Sequence, residues 1–159
     1  MKRALTVVAL ATSLLILPRL AQAHLVTSGL GPYYDGALHL LMSPGDLLGL
    51  IAVALLAGRC GAQAGRLTVI TLSVAWLLGG LVGIALPNSP DLAAVGTVSF
   101  LVMGLLVAVD VRLSPVGIAA IAVAYGGLHG LINGAALAVA GAEVSQLFGI
   151  VLPVLGVAV

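Results

Sequence analysis

The sequence predicts an all-α protein, a polytopic membrane bundle of about five transmembrane helices that follows a cleaved signal peptide. Of its 159 residues, 62% are hydrophobic and only 7% are charged, and the mean hydropathy is +1.28. A soluble domain carries about 25% charged residues. This chain cannot cover itself with a polar surface, so we expect the lipid bilayer to be its principal partner.

The first residues have the pattern of a secretory signal peptide. A basic start is followed by an apolar run over residues 4–17, and Ala21-Gln22-Ala23 forms an A-x-A cleavage site. The apolar run is shorter than the ~20 residues that a span needs, although an uncleaved first helix is the alternative interpretation. We expect a signal peptide over 1–23 and a single transmembrane domain over 24–159. The mature chain would begin at His24, on the periplasmic side of a bacterial inner membrane.

Five apolar segments follow, and each must be helical in lipid because unpaired backbone groups are too costly there. We place the spans at 37–58, 67–86, 91–111, 115–139 and 143–159. Three Ser-Pro pairs predict helix starts, with serine as the N-cap and proline at the first helical position. These pairs are Ser43-Pro44, Ser89-Pro90 and Ser114-Pro115. The segment before the first pair, Tyr33–Met42, is predicted to be a short helix or a re-entrant piece at the outer surface.

The arginines predict the orientation. With the N-terminus outside, the loops near 59–66 and 110–114 are cytoplasmic, and they hold Arg59, Arg66 and Arg112. The two outer loops contain no lysine or arginine. This distribution follows the positive-inside rule and favours an outer N-terminus and an inner C-terminus.

Two ionisable residues at the outer end of the first span are candidates for function, because such groups are costly inside a membrane. His39 and Asp46 are seven residues apart, which is two turns of one helix face, although Pro44 and Gly45 intervene. Asp46 also lies three residues after Ser43, where an acid supports a capping box. We keep both interpretations of Asp46.

The fourth span carries two rows at a spacing of four residues. The polar row consists of Tyr125, His129 and Asn133, and the small row consists of Gly126, Gly130 and Gly134. Small residues let another helix, or a second copy of the chain, approach closely. The polar row is therefore expected to face a neighbour, in the same outer half as the two candidates on the first span. The alternative is a neutral His129 that makes one hydrogen bond between helices.

The candidate side chains offer imidazole, carboxylate and amide groups without a thiolate. Such ligands suit Ni, Cu(II), Zn or Co. After cleavage, His24 would add an α-amino group and an imidazole on one residue. The predicted metal ligands are His24, His39, Asp46, His129 and Asn133, with Asp35 and Tyr125 as accessory residues. The intramembrane hydroxyls Thr68, Thr71, Ser73, Thr97 and Ser99 are interpreted as helix-packing groups.

Several function classes are not supported. No serine or cysteine neighbours a histidine in sequence, and no phosphate-binding glycine loop or basic patch is present. We therefore expect neither an enzyme nor a nucleic-acid partner.

With these motifs the sequence resembles the HupE/UreJ family of small membrane proteins, which supply nickel to hydrogenase and urease. His39 matches the first histidine of the family motif H-x5-D-H, while Gly45 and Asp46 replace its last two residues. In the second motif, F-H-G-x-A-H-G-x-E, the chain keeps His129, Gly130 and Gly134. Asn133 replaces the second histidine and Ala136 the glutamate. The resemblance implies a permease that binds and takes up a nickel-like divalent cation.

Two other functions fit the same residues. A b-type haem protein would use His39 and His129 as axial ligands. A membrane assembly subunit would use the polar rows only to hold its helices together.

The cytoplasmic placement of the 59–66 loop can be tested through Cys60, the one cysteine of the chain. We expect a membrane-impermeant thiol reagent to leave Cys60 unlabelled in intact spheroplasts and to label it after the membrane is opened. Labelling of intact spheroplasts would reverse the predicted topology. A Cys60→Ser variant provides the background signal.

Overall fold

The computed structural model describes residues 27–86 and 92–158, and these residues form six helices and no strand. The helices are α1 Pro32–Leu41, α2 Pro44–Arg59, α3 Ala62–Ala85, α4 Ala93–Ala108, α5 Pro115–Val139 and α6 Val144–Ala158. The all-α prediction is confirmed. The predicted signal peptide, His24, the Ser89-Pro90 cap and Asp91 lie outside the described residues.

The first predicted span is broken rather than continuous. α1 and α2 meet at a bend of 72°. Pro44 has no N–H to continue α1, and the residue before a proline avoids the helical region. Ser43 is accordingly extended, and its hydroxyl donates to the backbone oxygen of His39 at 2.7 Å. Ser43 thus satisfies a carbonyl at the end of α1 and makes no side-chain cap for α2, whereas Ser114 does cap α5. The short helix predicted over Tyr33–Met42 is confirmed.

The predicted loop over 59–66 is shorter than expected. α3 already begins at Ala62, because only Gly61 adopts a conformation that breaks the helix, with a φ of 103°. The next residues, Ala-Gln-Ala, are good helix formers.

Length alone identifies two or three membrane spans among the described helices. α3 and α5 are each long and apolar enough, and the bent pair α1–α2 makes a third if it is counted as one span. α4 and α6 are apolar but shorter, with 16 and 15 residues. The expected count of five spans remains a prediction.

The close contact between α3 and α5 forms the centre of the bundle. Gly126, Gly130 and Gly134 pack directly on the backbone oxygens of Leu72, Trp76 and Gly80, so that an added Cβ would overlap each of those oxygens. This face is therefore already filled within one chain, so the structure does not support a homo-oligomer through Gly126, Gly130 and Gly134. The expectation that the polar row faces a neighbour is confirmed, because Tyr125, His129 and Asn133 are all buried.

A second close contact, between α1 and α6, holds α1 beside the bundle. Gly36 packs on the backbone of Gln146, and Gly149 packs on the backbone of Tyr33. At the end of α2 that lies away from the bend, Asp110 pairs with Arg59 and Arg112. These ion pairs join α2 to the α4–α5 loop.

The central contact predicts a sharp difference between two glycines of α5. Gly130→Ala should destabilise the protein by about 1–3 kcal/mol, because the added methyl group overlaps the Trp76 backbone. Gly127→Ala should have little effect, because no atom lies within 4 Å of an added Cβ there. Thermal unfolding in detergent measures both variants. Equal melting temperatures would contradict the packing described here.

Candidate functional site

A carboxylate–histidine pair lies where α2 meets α5. His129 Nδ1 is 2.7 Å from Asp46 Oδ1, and both side chains are largely buried, with exposed fractions of 6% and 16%. Because the carboxylate only accepts, the ring nitrogen must donate, which places a proton on Nδ1. The first and fourth predicted spans therefore meet through these two side chains, as the antiparallel arrangement predicted.

Asn133, one turn further along α5, extends this pair to α1. Its Nδ2 donates to Asp46 Oδ2 at 3.1 Å and to the backbone oxygen of His129 at 2.9 Å. Because both partners of this atom are acceptors, it is the amide nitrogen and not the amide oxygen. The amide oxygen then faces His39 Nε2 at 3.2 Å, so His39 donates to it. One amide thus links the residues on both sides of the bend.

His39 has one nitrogen without a partner. Since Nε2 carries the donated proton, Nδ1 of the neutral ring is an acceptor with a free lone pair. This atom is buried and has no hydrogen-bond partner among the described residues. A buried lone pair without a donor is costly, and it is the type of atom that a cation or a water can satisfy.

Ser99 on α4 completes the surroundings of His129. Its hydroxyl lies 2.8 Å from His129 Nε2, so both nitrogens of this imidazole have partners. We had interpreted Ser99 as a packing hydroxyl. Nothing in the sequence separates it from Thr97, since both are single hydroxyls within an apolar helix.

Two aromatic rings cover the faces of the site. Tyr125 stacks on His129 with ring centroids 4.1 Å apart and an interplanar angle of 21°, and Trp76 lies 5.8 Å from the same ring. Gly49 on α2 makes room for one of these rings, because an added Cβ there would overlap the Tyr125 hydroxyl. The expectation that Tyr125 is an accessory ligand stays a prediction, and no pattern in the sequence pointed to Trp76.

The remaining predicted ligand with described coordinates has another partner. Asp35 accepts from the backbone nitrogen of Ser28 at 2.6 Å and from its hydroxyl at 2.5 Å. This carboxylate ties the residues before α1 to its first turn. Asp46, by contrast, makes no capping box with Ser43, because both of its oxygens are bonded to α5.

The described residues, 27–86 and 92–158, do not bring three His, Cys, Asp or Glu side chains close enough together to hold a metal ion. The arrangement instead has the chemistry of one oriented imidazole. In metal sites, a carboxylate commonly accepts the N–H of the histidine that ligates through its other nitrogen. Asp46 has this position relative to His129, which leaves Nε2 as the nitrogen able to ligate.

Comparison with known proteins gives one match. The model of the HupE / UreJ protein family matches residues 12–159. We found no match among curated proteins or among solved structures. The matching family relates to nickel and cobalt handling and is not a known enzyme family. Because the match extends over nearly the whole of this apolar helical chain, including both halves of the carboxylate–histidine pair, the chain belongs to the HupE/UreJ family.

Proposed function

We propose that this protein binds a divalent transition metal ion, nickel first among them, from the periplasmic side of the inner membrane and passes it into the cell. The observation that carries the proposal is the buried contact between Asp46 and His129. A carboxylate within an apolar bundle is costly, and one that orients an imidazole has a chemical use beyond packing.

We assign His129 as a ligand of the ion, through its Nε2 atom. Asp46 fixes the tautomer and raises the basicity of the ring, as an acceptor behind a ligating histidine does. Imidazole suits nickel, cobalt, copper and zinc, and family membership favours nickel or cobalt among them.

We assign His39 Nδ1 as a second candidate nitrogen donor. This atom is buried and has no hydrogen-bond partner in the part of the chain that the structure describes, and its ring is linked to the pair through Asn133. We had expected Asp46 and Asn133 to complete the metal shell directly. The hydrogen bonds favour a different role for both, namely holding the two imidazoles in position.

A metal site with few protein ligands suits a transport protein better than a protein that holds its metal permanently. Structural metal sites are closed by four protein ligands, whereas an open shell keeps positions for water and lets the ion exchange. The sequence contains no nucleotide-binding loop, so transport would be facilitated or coupled to another ion.

The proposal predicts that His129→Ala and Asp46→Asn both weaken nickel binding. His129→Ala removes the ligand, so the affinity should fall at least 10-fold. Asp46→Asn should lower it about 10- to 100-fold, which is the usual cost of losing such an acceptor. Calorimetric titration of the purified protein with Ni²⁺ in detergent measures both, and nickel uptake by cells that express each variant tests transport.

Glu143→Ala is the matched control for these variants. Glu143 lies directly before α6, where its exposed carboxylate accepts a hydrogen bond from Ser145. This change should leave both affinity and uptake unchanged. Equal nickel binding by the wild type and by the His129→Ala variant would refute the proposed function.

A further inference from the structure

Ser99 has two partners and one proton. Its oxygen lies 2.8 Å from His129 Nε2 and 2.7 Å from the backbone oxygen of Gly96. A hydroxyl donates a single hydrogen bond. This hydrogen bond goes to Gly96, and the Ser99 oxygen stands in contact with His129 Nε2.

The position of this hydroxyl conflicts with a bound ion. A metal ion sits about 2.0–2.1 Å from a histidine nitrogen, along the direction of its lone pair. The Ser99 oxygen occupies that direction at 2.8 Å, so it lies almost where the ion would be. An ion and the hydroxyl in its present place cannot both contact Nε2.

We infer that Ser99 occludes the ligating nitrogen of His129, and that the ion enters only after this hydroxyl has turned or moved away. The inference rests on the proposed function, since it concerns the same nitrogen. When the hydroxyl moves away it gives up its contact with Nε2, and that loss opposes binding of the ion. Ser99 is thus a positioning residue that sets how readily the site opens.

The same helix, α4, carries a control for this hydroxyl. Thr97, on the same helix, is exposed and donates to the backbone oxygen of Ala93 at 3.0 Å. It is a matched hydroxyl that has no contact with the site.

The experiment compares Ni²⁺ titrations of the full-length protein in detergent for wild type, Ser99→Ala, Ser99→Thr and Thr97→Ala. Ser99→Ala should bind nickel about 3- to 10-fold more tightly, because the ion no longer displaces the contact of the hydroxyl with Nε2. Ser99→Thr keeps the hydroxyl and should retain the wild-type affinity. Thr97→Ala should also match the wild type. Thermal unfolding of each variant checks that it is folded.

The outcomes separate this inference from the function on which it rests. If the wild type binds nickel through His129 and the folded Ser99→Ala variant binds equally or more weakly, occlusion is overturned and the proposed function stands. Binding by Ser99→Ala alone would support occlusion in its strongest form. If neither protein binds nickel, both the function and the inference are overturned.

Discussion

The burial of the Asp46 carboxylate is the constraint from which the arrangement around it follows. A carboxylate that is buried among apolar helices is costly unless it finds partners. Here both of its oxygens are bonded to α5, one to His129 and one to Asn133. These bonds determine which face of α2 is turned toward α5. Asn133 also accepts a hydrogen bond from His39 and thereby ties α1 to the same side chains.

The contact between α3 and α5 provides the rigid support for that network. Glycines on α5 let the two backbones touch, which fixes the rotation of α5 about its axis. Once that rotation is set, the polar row can only face α1, α2 and α4. Trp76 and Tyr125 then fill the space around His129, so the imidazole is held by packing as well as by hydrogen bonds.

The site thereby combines a fixed part and a part that can yield. The Nδ1 side of His129 is held by the Asp46 carboxylate, and aromatic rings pack on the imidazole. Its Nε2 atom is covered by a single hydroxyl, that of Ser99 on α4. His39 stands at the end of a short helix, and its backbone oxygen is held by Ser43. The proposed carrier function needs this combination, because the site must hold an ion selectively and still release it.

The sequence by itself determined the all-α class, and it identified His39, Asp46, His129 and Asn133 as side chains that could meet. These properties depend on composition, on hydrophobic length and on a spacing of four residues, all of which act locally along the chain. The bend before Pro44 was predictable as a helix start, but its angle was not, because a proline interrupts a helix without saying where the next one points.

Only the tertiary structure decided what each side chain does in the site. The glycine row could serve another chain or another helix equally well, and the approach of α3 settled that choice. The role of Asp46 as an acceptor for His129, rather than a cap for α2, depends on which atoms α5 presents to it. Ser99 could not be told from Thr97 in the sequence, because the two hydroxyls differ only in the helix face that carries them. Which face meets His129 is settled by the packing of α4, a long-range interaction that no local pattern of residues encodes.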